Sequence, residues 1–201
     1  SLDVKEGKII YDGQNVLLSG IKGLLMPPQQ EKSEPLEFSA EMKIYDFKSV
    51  GTQQGSEWMS SMLSDSPFKA TFKINDFSPV EGYPGEVRVP LAAAQMLKIF
   101  QLEHWNMSAE VSVGRSEFKG DIDVRGELSI NAIEGKYVDF PYPLKNIRSL
   151  ITFHQNEIQI VELLADGSED SAVFIEGNVH ASTDDLVVEL NLTAGDAPID
   201  K

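Results

Sequence analysis

Apolar and polar residues alternate along much of the chain. Phe118, Gly120, Ile122, Val124, Gly126, Leu128 and Ile130 fall on one parity, and Lys119, Asp121, Asp123, Arg125, Glu127 and Ser129 on the other. A period of two places each set on its own side of a pleated strand. The same pattern recurs in Leu36, Phe38, Ala40, Met42 and Ile44, and again in Phe68, Ala70, Phe72 and Ile74. Met107, Ala109, Val111 and Val113 repeat it, as do Leu186, Val188, Leu190 and Leu192. One dry face and one wet face per strand is the mark of antiparallel sheets rather than βαβ units. Phe72, Ile122, Val124 and Val188 are therefore expected to point into the apolar interior.

Further strands are expected at about 8–11, 15–25, 84–89, 134–139, 147–153, 157–164 and 172–180. Turn signals separate them at Asp12-Gly13, Pro27-Pro28, Gly82-Tyr83-Pro84, Pro141-Tyr142-Pro143 and Asp166-Gly167. Two segments leave the β pattern. Pro90 suits a first helical turn, and Leu91, Ala94, Met96, Leu97 and Phe100 follow at helical spacing, which predicts one principal helix near 90–102. A short helix over 56–63 would carry Trp58, Met59, Met62 and Leu63. Both helices are expected to plug the apolar face or one end of the sheet, and Trp58 and Trp105 to serve packing. The fold class is mainly β, an antiparallel sheet shaped as a curved groove or a sandwich.

A short internal repeat accompanies this pattern. Glu6-Gly7-Lys8 precedes Gly20-Ile21-Lys22-Gly23-Leu24-Leu25, and Glu134-Gly135-Lys136 precedes Asn146-Ile147-Arg148-Ser149-Leu150-Ile151 at nearly the same distance. It allows a single β-rich domain over 1–201 to be divided into two repeat units, about 1–130 and 131–201, the second truncated. Neighbouring units of this kind share one apolar face.

Composition narrows the function. The formal net charge of −15 repels the phosphates of nucleic acid and anionic headgroups, so no nucleic-acid partner is expected. The absence of cysteine excludes disulfides and thiolate metal sites. No apolar run is long enough to span a membrane as a helix, and the chain opens directly in strand-like sequence, as expected of a fragment of a longer protein.

Catalytic signatures are missing. There is no G-x-S-x-G elbow, no phosphate loop and no G-x-G-x-x-G turn. His104, His154 and His180 lack metal-binding spacing; His104 is read as a residue at a helix end, and the other two as solvated residues at strand ends. Asp166, Ser168 and Asp170 have the alternate spacing of a calcium loop without its glycine and distal glutamate, so a solvated turn is expected. The acidic pairs Glu169-Asp170 and Asp184-Asp185 do not stand out from an acidic surface, which leaves a glycan-processing enzyme with little support. The reading is a protein that is not an enzyme, with no catalytic residue, metal or cofactor.

The C-terminal part runs Leu144-Lys145-Asn146-Ile147-Arg148-Ser149, then Ile158-Gln159-Ile160-Val161-Glu162-Leu163-Leu164-Ala165-Asp166-Gly167, then Ala172-Val173-Phe174-Ile175-Glu176-Gly177-Asn178-Val179. This resembles the strand repeats of the AsmA-like and TamB-like bacterial envelope proteins. The opening Leu2-Asp3-Val4-Lys5-Glu6-Gly7-Lys8-Ile9-Ile10-Tyr11 resembles the same pattern. The resemblance implies a periplasmic segment tethered to the membrane by a part outside this sequence and flanked by similar repeats. It also implies an apolar β groove that carries phospholipid acyl chains in lipid transport or outer-membrane biogenesis. Candidates for lining such a groove are Phe38, Met42, Phe72, Ile74, Ile122, Val124, Val188 and Leu190. The alternative is a closed structural or adhesive module of the envelope, whose apolar face is simply its core.

Overall fold

The structure, a computed structural model, describes residues 2–25, 36–46, 66–77, 101–136, 143–155, 157–167, 171–181 and 186–195. They form β1 (Leu2–Tyr11), β2 (Val16–Leu25), β3 (Leu36–Ile44), β4 (Phe68–Phe77), β5 (Glu103–Arg115), β6 (Asp123–Gly135), β7 (Leu144–His154), β8 (Glu157–Asp166), β9 (Ala172–Ala181) and β10 (Leu186–Gly195). These ten strands make one open antiparallel sheet in which each strand lies beside its neighbours in sequence. Meanders of this kind need only short connections and follow from the one-sided alternation.

The chain divides into two compact units, residues 1–75 with 110–125 and residues 76–109 with 126–201. In the first, opposed residues of β1–β4 match apolar with apolar. Tyr11, Val16, Ile44 and Phe68 form one row, and Ile9, Leu18, Met42 and Ala70 the next. Ile21, Ala40 and Phe72 form a third, and Val4, Gly23, Phe38 and Ile74 a fourth. Directly opposed residues share a face, so the four rows make one continuous apolar surface.

The second unit repeats the principle. Phe153, Ile158, Val179 and Val188 lie in one row, and Ile151, Ile160, Gly177 and Leu190 in another. Ser149, Leu163, Ile175 and Leu192 form a third. Here the face is deeply buried on β7–β9: Ile160 is 1% exposed and Val179 2%. On β8 the buried parity changes within the strand. Ile158 and Ile160 are buried, then Leu163 and Ala165, while Val161 and Glu162 both stay outside. The register shift between Ile160 and Leu163 accounts for it, because one extra residue moves every later side chain to the other parity.

The sequence repeat has a local structural counterpart. The β2–β3 register shifts between Leu18 and Ile21, and the β7–β8 register between Lys145 and Arg148. Each irregularity contains a left-handed residue, Gly20 with φ 60° and Asn146 with φ 49°. Glycine and asparagine are the residues that tolerate this conformation. The isoleucine that follows returns to the apolar face, as Ile21 and as the buried Ile147, and the next residue, Lys22 or Arg148, is exposed. Asn146 is further held by donating its Nδ2 to Asp166 Oδ2 at 2.6 Å.

Several expectations change. No helix occurs among the described residues, so the principal helix is not borne out there. Most of 90–102 lies outside them, while Gln101 is in a turn and Leu102 is irregular. The short helix at 56–63 and the strand at 84–89 also lie outside the described residues. His104 is the second residue of β5 rather than a helix end. Alternation over 118–130 does not mark one strand. Gly120 N donates to Glu117 O at 3.1 Å and Lys119 has φ 56°, so residues 117–120 form the turn into β6, which starts at Asp123. Ile122 precedes that strand and is 47% exposed, so it is not a core residue. Phe72 has the expected register but is 43% exposed, and its partner in the row, Ala40, is too short to cover a phenyl ring.

Candidate functional site

Phe38, Met42, Phe72 and Ile74 come together. Phe38 opposes Ile74, Phe72 opposes Ala40, and Met42 opposes Ala70, all on the apolar face of β3 and β4. Met42, Phe38 and Ile74 are partly buried. The face continues to β1, where Ile9 is 78% exposed and Val4 and Tyr11 more than half exposed. Large apolar side chains thus remain in contact with solvent along a surface whose rows are apolar throughout. Thr71 and Lys73 project from the opposite side of β4, where Thr71 Oγ1 lies 3.2 Å from Ser112 Oγ and Lys73 Nζ 2.7 Å from Glu110 Oε2. The hydrogen bond to Glu110 holds the Lys73 ammonium above its ordinary pKa.

The remaining candidates are placed differently. Val124 lies in β6 and is partly buried, whereas Ile122 is exposed before the strand. Val188 and Leu190 lie on β10 in the second unit, opposite Val179 and Gly177. They extend that unit's apolar rows to a strand at the margin of the sheet.

Local chemistry shapes the solvent-exposed face. Gly23 is buried and sits against the ring of Phe38; a Cβ there would lie 2.7 Å from one ring carbon and meet the Asp3 carbonyl as well. Glycine therefore lets the aromatic ring cross β2. At the other end of this face, the β1–β2 loop is closed by Asp12. Its Oδ1 accepts from the backbone N–H groups of Gln14 at 2.9 Å and Asn15 at 2.6 Å, and its Oδ2 from Asn15 Nδ2 at 3.0 Å. The Asn15 side-chain and backbone donors, with Gln14, lower its pKa from 3.8 to about 2.

A second feature lies apart from the apolar face. A cavity of about 650 Å³ in the first unit is lined in part by Tyr45, Phe68, Lys69, Arg115, Asp123 and Arg125. Arg115 is only 9% exposed, and its guanidinium carbon lies 5.8 Å from the Phe68 ring centroid. Arg125 pairs with Asp123 at 3.2 Å. The signal was present: Arg115 continues the parity of Met107, Ala109, Val111 and Val113, placing a charge on an apolar face.

The histidines do not assemble a centre. His104, His154 and His180 are exposed. Among the described residues, no group of three His, Asp or Glu side chains could hold a metal ion. Trp105 packs edge-on against Phe77, with centroids 6.1 Å apart and rings at 76°. No protein-family model, curated protein or solved structure matches the chain.

Proposed function

We propose that this chain is a segment of a bacterial envelope protein of AsmA-like type. Its apolar β face accepts phospholipid acyl chains in lipid transport or outer-membrane biogenesis in the periplasm. The observation that carries this reading is the face of β1–β4. Its rows are apolar from strand to strand, and Val4, Ile9, Tyr11 and Phe72 remain exposed on it. Proteins seldom leave a large contiguous apolar surface in water without a partner for it. Acyl chains suit such a surface, because each buried methylene gains about 0.8 kcal/mol and asks for no polar partner. The acidic character of the chain keeps the segment dispersed while that face is open.

A closed structural module is the second reading. The burial of Ile147, Ile160, Ile175 and Val179 favours it, since that face behaves as an ordinary core. The two readings differ in what the purified protein carries. Organic extraction of the folded protein, followed by mass spectrometry, is expected to release phospholipid in stoichiometric amount. A folded protein that carries none and takes up none from vesicles would leave the closed module.

A further inference from the structure

Charged residues on paired strands face opposite charges or neutral groups, as in Glu6↔Lys22, Lys145↔Asp166 and Lys8↔Ser19. Lys43↔Lys69, on β3 and β4, departs from this. It is the like-charged pair among the described cross-strand partners of β1–β4 and β7–β10. Like charges set directly opposite each other are destabilising, and here they are two lysines in a chain with 32 acidic residues against 17 basic ones. Neither lysine makes an ion pair with a described residue. Lys43 instead sets its Nζ 4.8 Å from the centre of the Tyr45 ring.

Lys69 lines the cavity of about 650 Å³ in the first unit, together with Tyr45, Ser112, Gly114 and Ser116. Gly114 lies beside Lys69, and a Cβ there would stand 2.9 Å from the Phe68 carbonyl oxygen. The strand next to the lysine pair therefore stays bare, and the space a side chain would fill is open. Ser112 and Ser116 bring hydroxyl groups to the same cavity. Its carboxylates are Asp46, Asp121 and Asp123. Asp123 is paired with Arg125 at 3.2 Å, and Asp46 accepts from Gln14 Nε2 at 2.6 Å. Asp46 and Asp121 are thus the negative groups that an entering anion must tolerate.

We propose that this cavity binds a phosphate monoester through Lys69 and Lys43, with Ser112 and Ser116 as hydroxyl donors. A monoester carries a charge of about −1.5 to −2 and three acceptor oxygens. It answers two adjacent ammonium groups, where a carboxylate would answer one. The volume falls in the range of small-molecule sites, about 300–1,000 Å³, which leaves room for the alcohol part of the ester. Lys69 has the parity of Thr71 and Lys73, opposite to that of Phe72, so the site does not depend on the acyl-chain reading.

The net charge of −15 opposes any anion at long range, but at physiological salt exposed charges are screened beyond about 8 Å. Within that distance the lysine pair dominates. Binding should therefore strengthen as pH rises through about 6, where the ester takes on its second charge.

Titration with glycerol 3-phosphate, followed by amide NMR, tests this. Saturable shifts are expected at Lys69, Ser112 and Gly114. Lys69→Gln should weaken binding roughly ten- to a hundredfold. Asp121→Asn should tighten it, and Lys8→Gln, on β1, should leave it unchanged. Phosphatidylcholine vesicles with and without phosphatidic acid separate the two sources of the same chemistry. Lys69-dependent binding of glycerol 3-phosphate alone assigns the site to soluble esters. Lys69-dependent binding to the phosphatidic acid vesicles assigns it to a lipid headgroup. A folded protein with no Lys69-dependent binding of either probe overturns the proposal. So does weakening by Asp121→Asn, or glycerol 3-phosphate binding that does not rise with pH.

Discussion

The ring of Phe38 lies against Gly23 across the β2–β3 pair, where any Cβ on residue 23 would overlap it. That contact joins β2 to β3 within the exposed apolar face and leaves Gly23 buried although it has no side chain. Gly23→Val should therefore cost about 1–3 kcal/mol through overpacking. Denaturant unfolding measures it. A loss of only a few tenths would mean that the ring can swing away without penalty.

Register can be read from a pair of substitutions. Ile160→Ala should cost about 2–5 kcal/mol, since Ile160 is 1% exposed and sits between Ile151 and Gly177. Ile122→Ala should cost about 0.5 kcal/mol or less, since that side chain precedes β6 and is 47% exposed. Equal losses would contradict the placement of the β5–β6 turn.

The wet face should be tolerant. Lys73 and Glu110 pair at 2.7 Å, but both side chains are about half exposed. Lys73→Ala is expected to leave stability nearly unchanged, with whatever effect there is shrinking in salt. A larger, salt-independent loss in thermal unfolding would show that this pair does more than decorate the surface.

Acid should loosen the β1–β2 loop at a defined pH. The Asp12 carboxylate is stabilised in the fold, so its pKa is lowered from 3.8 to about 2. A depressed carboxylate contributes stability that is fully present above its unfolded value and is lost as pH falls through the folded one. The loop's acid sensitivity should therefore fall between about pH 4 and pH 2 and disappear in Asp12→Ala. Carbon-detected NMR titration of the Asp12 carboxyl gives the midpoint directly. A value near 3.8 would mean that the Gln14 and Asn15 hydrogen bonds do not form in solution.

Much of the sheet was legible because alternation is a direct imprint of one buried face. β3, β4, β9 and β10 lie close to where their apolar parity puts them. The errors arose where a two-residue period is a poor guide. Phe118, Gly120 and Ile122 keep the parity of β6 by chance across a hydrogen-bonded turn. On β8 a register shift exchanges the faces, so that Leu163 is buried and Leu164 exposed, which periodicity alone does not reveal. Phe72 shows a third limit: parity assigns a face but not how well neighbouring side chains cover it. Within the candidate site, Phe38, Met42, Phe72 and Ile74 were legible as one face. Arg115 escapes the pattern because the apolar run of β5 stops at Val113, two residues before the charge that shares its parity.

The most direct test of the acyl-chain reading asks which side of β4 touches lipid. A photoreactive benzoylphenylalanine placed at Phe72, on the apolar face, and separately at Lys73, on the opposite one, can be irradiated with phospholipid vesicles. Covalent phospholipid adducts, detected by mass spectrometry of the intact protein, are expected from position 72 and few or none from position 73. Equal labelling from both positions, or no adduct from position 72 in a protein that remains folded, would contradict it.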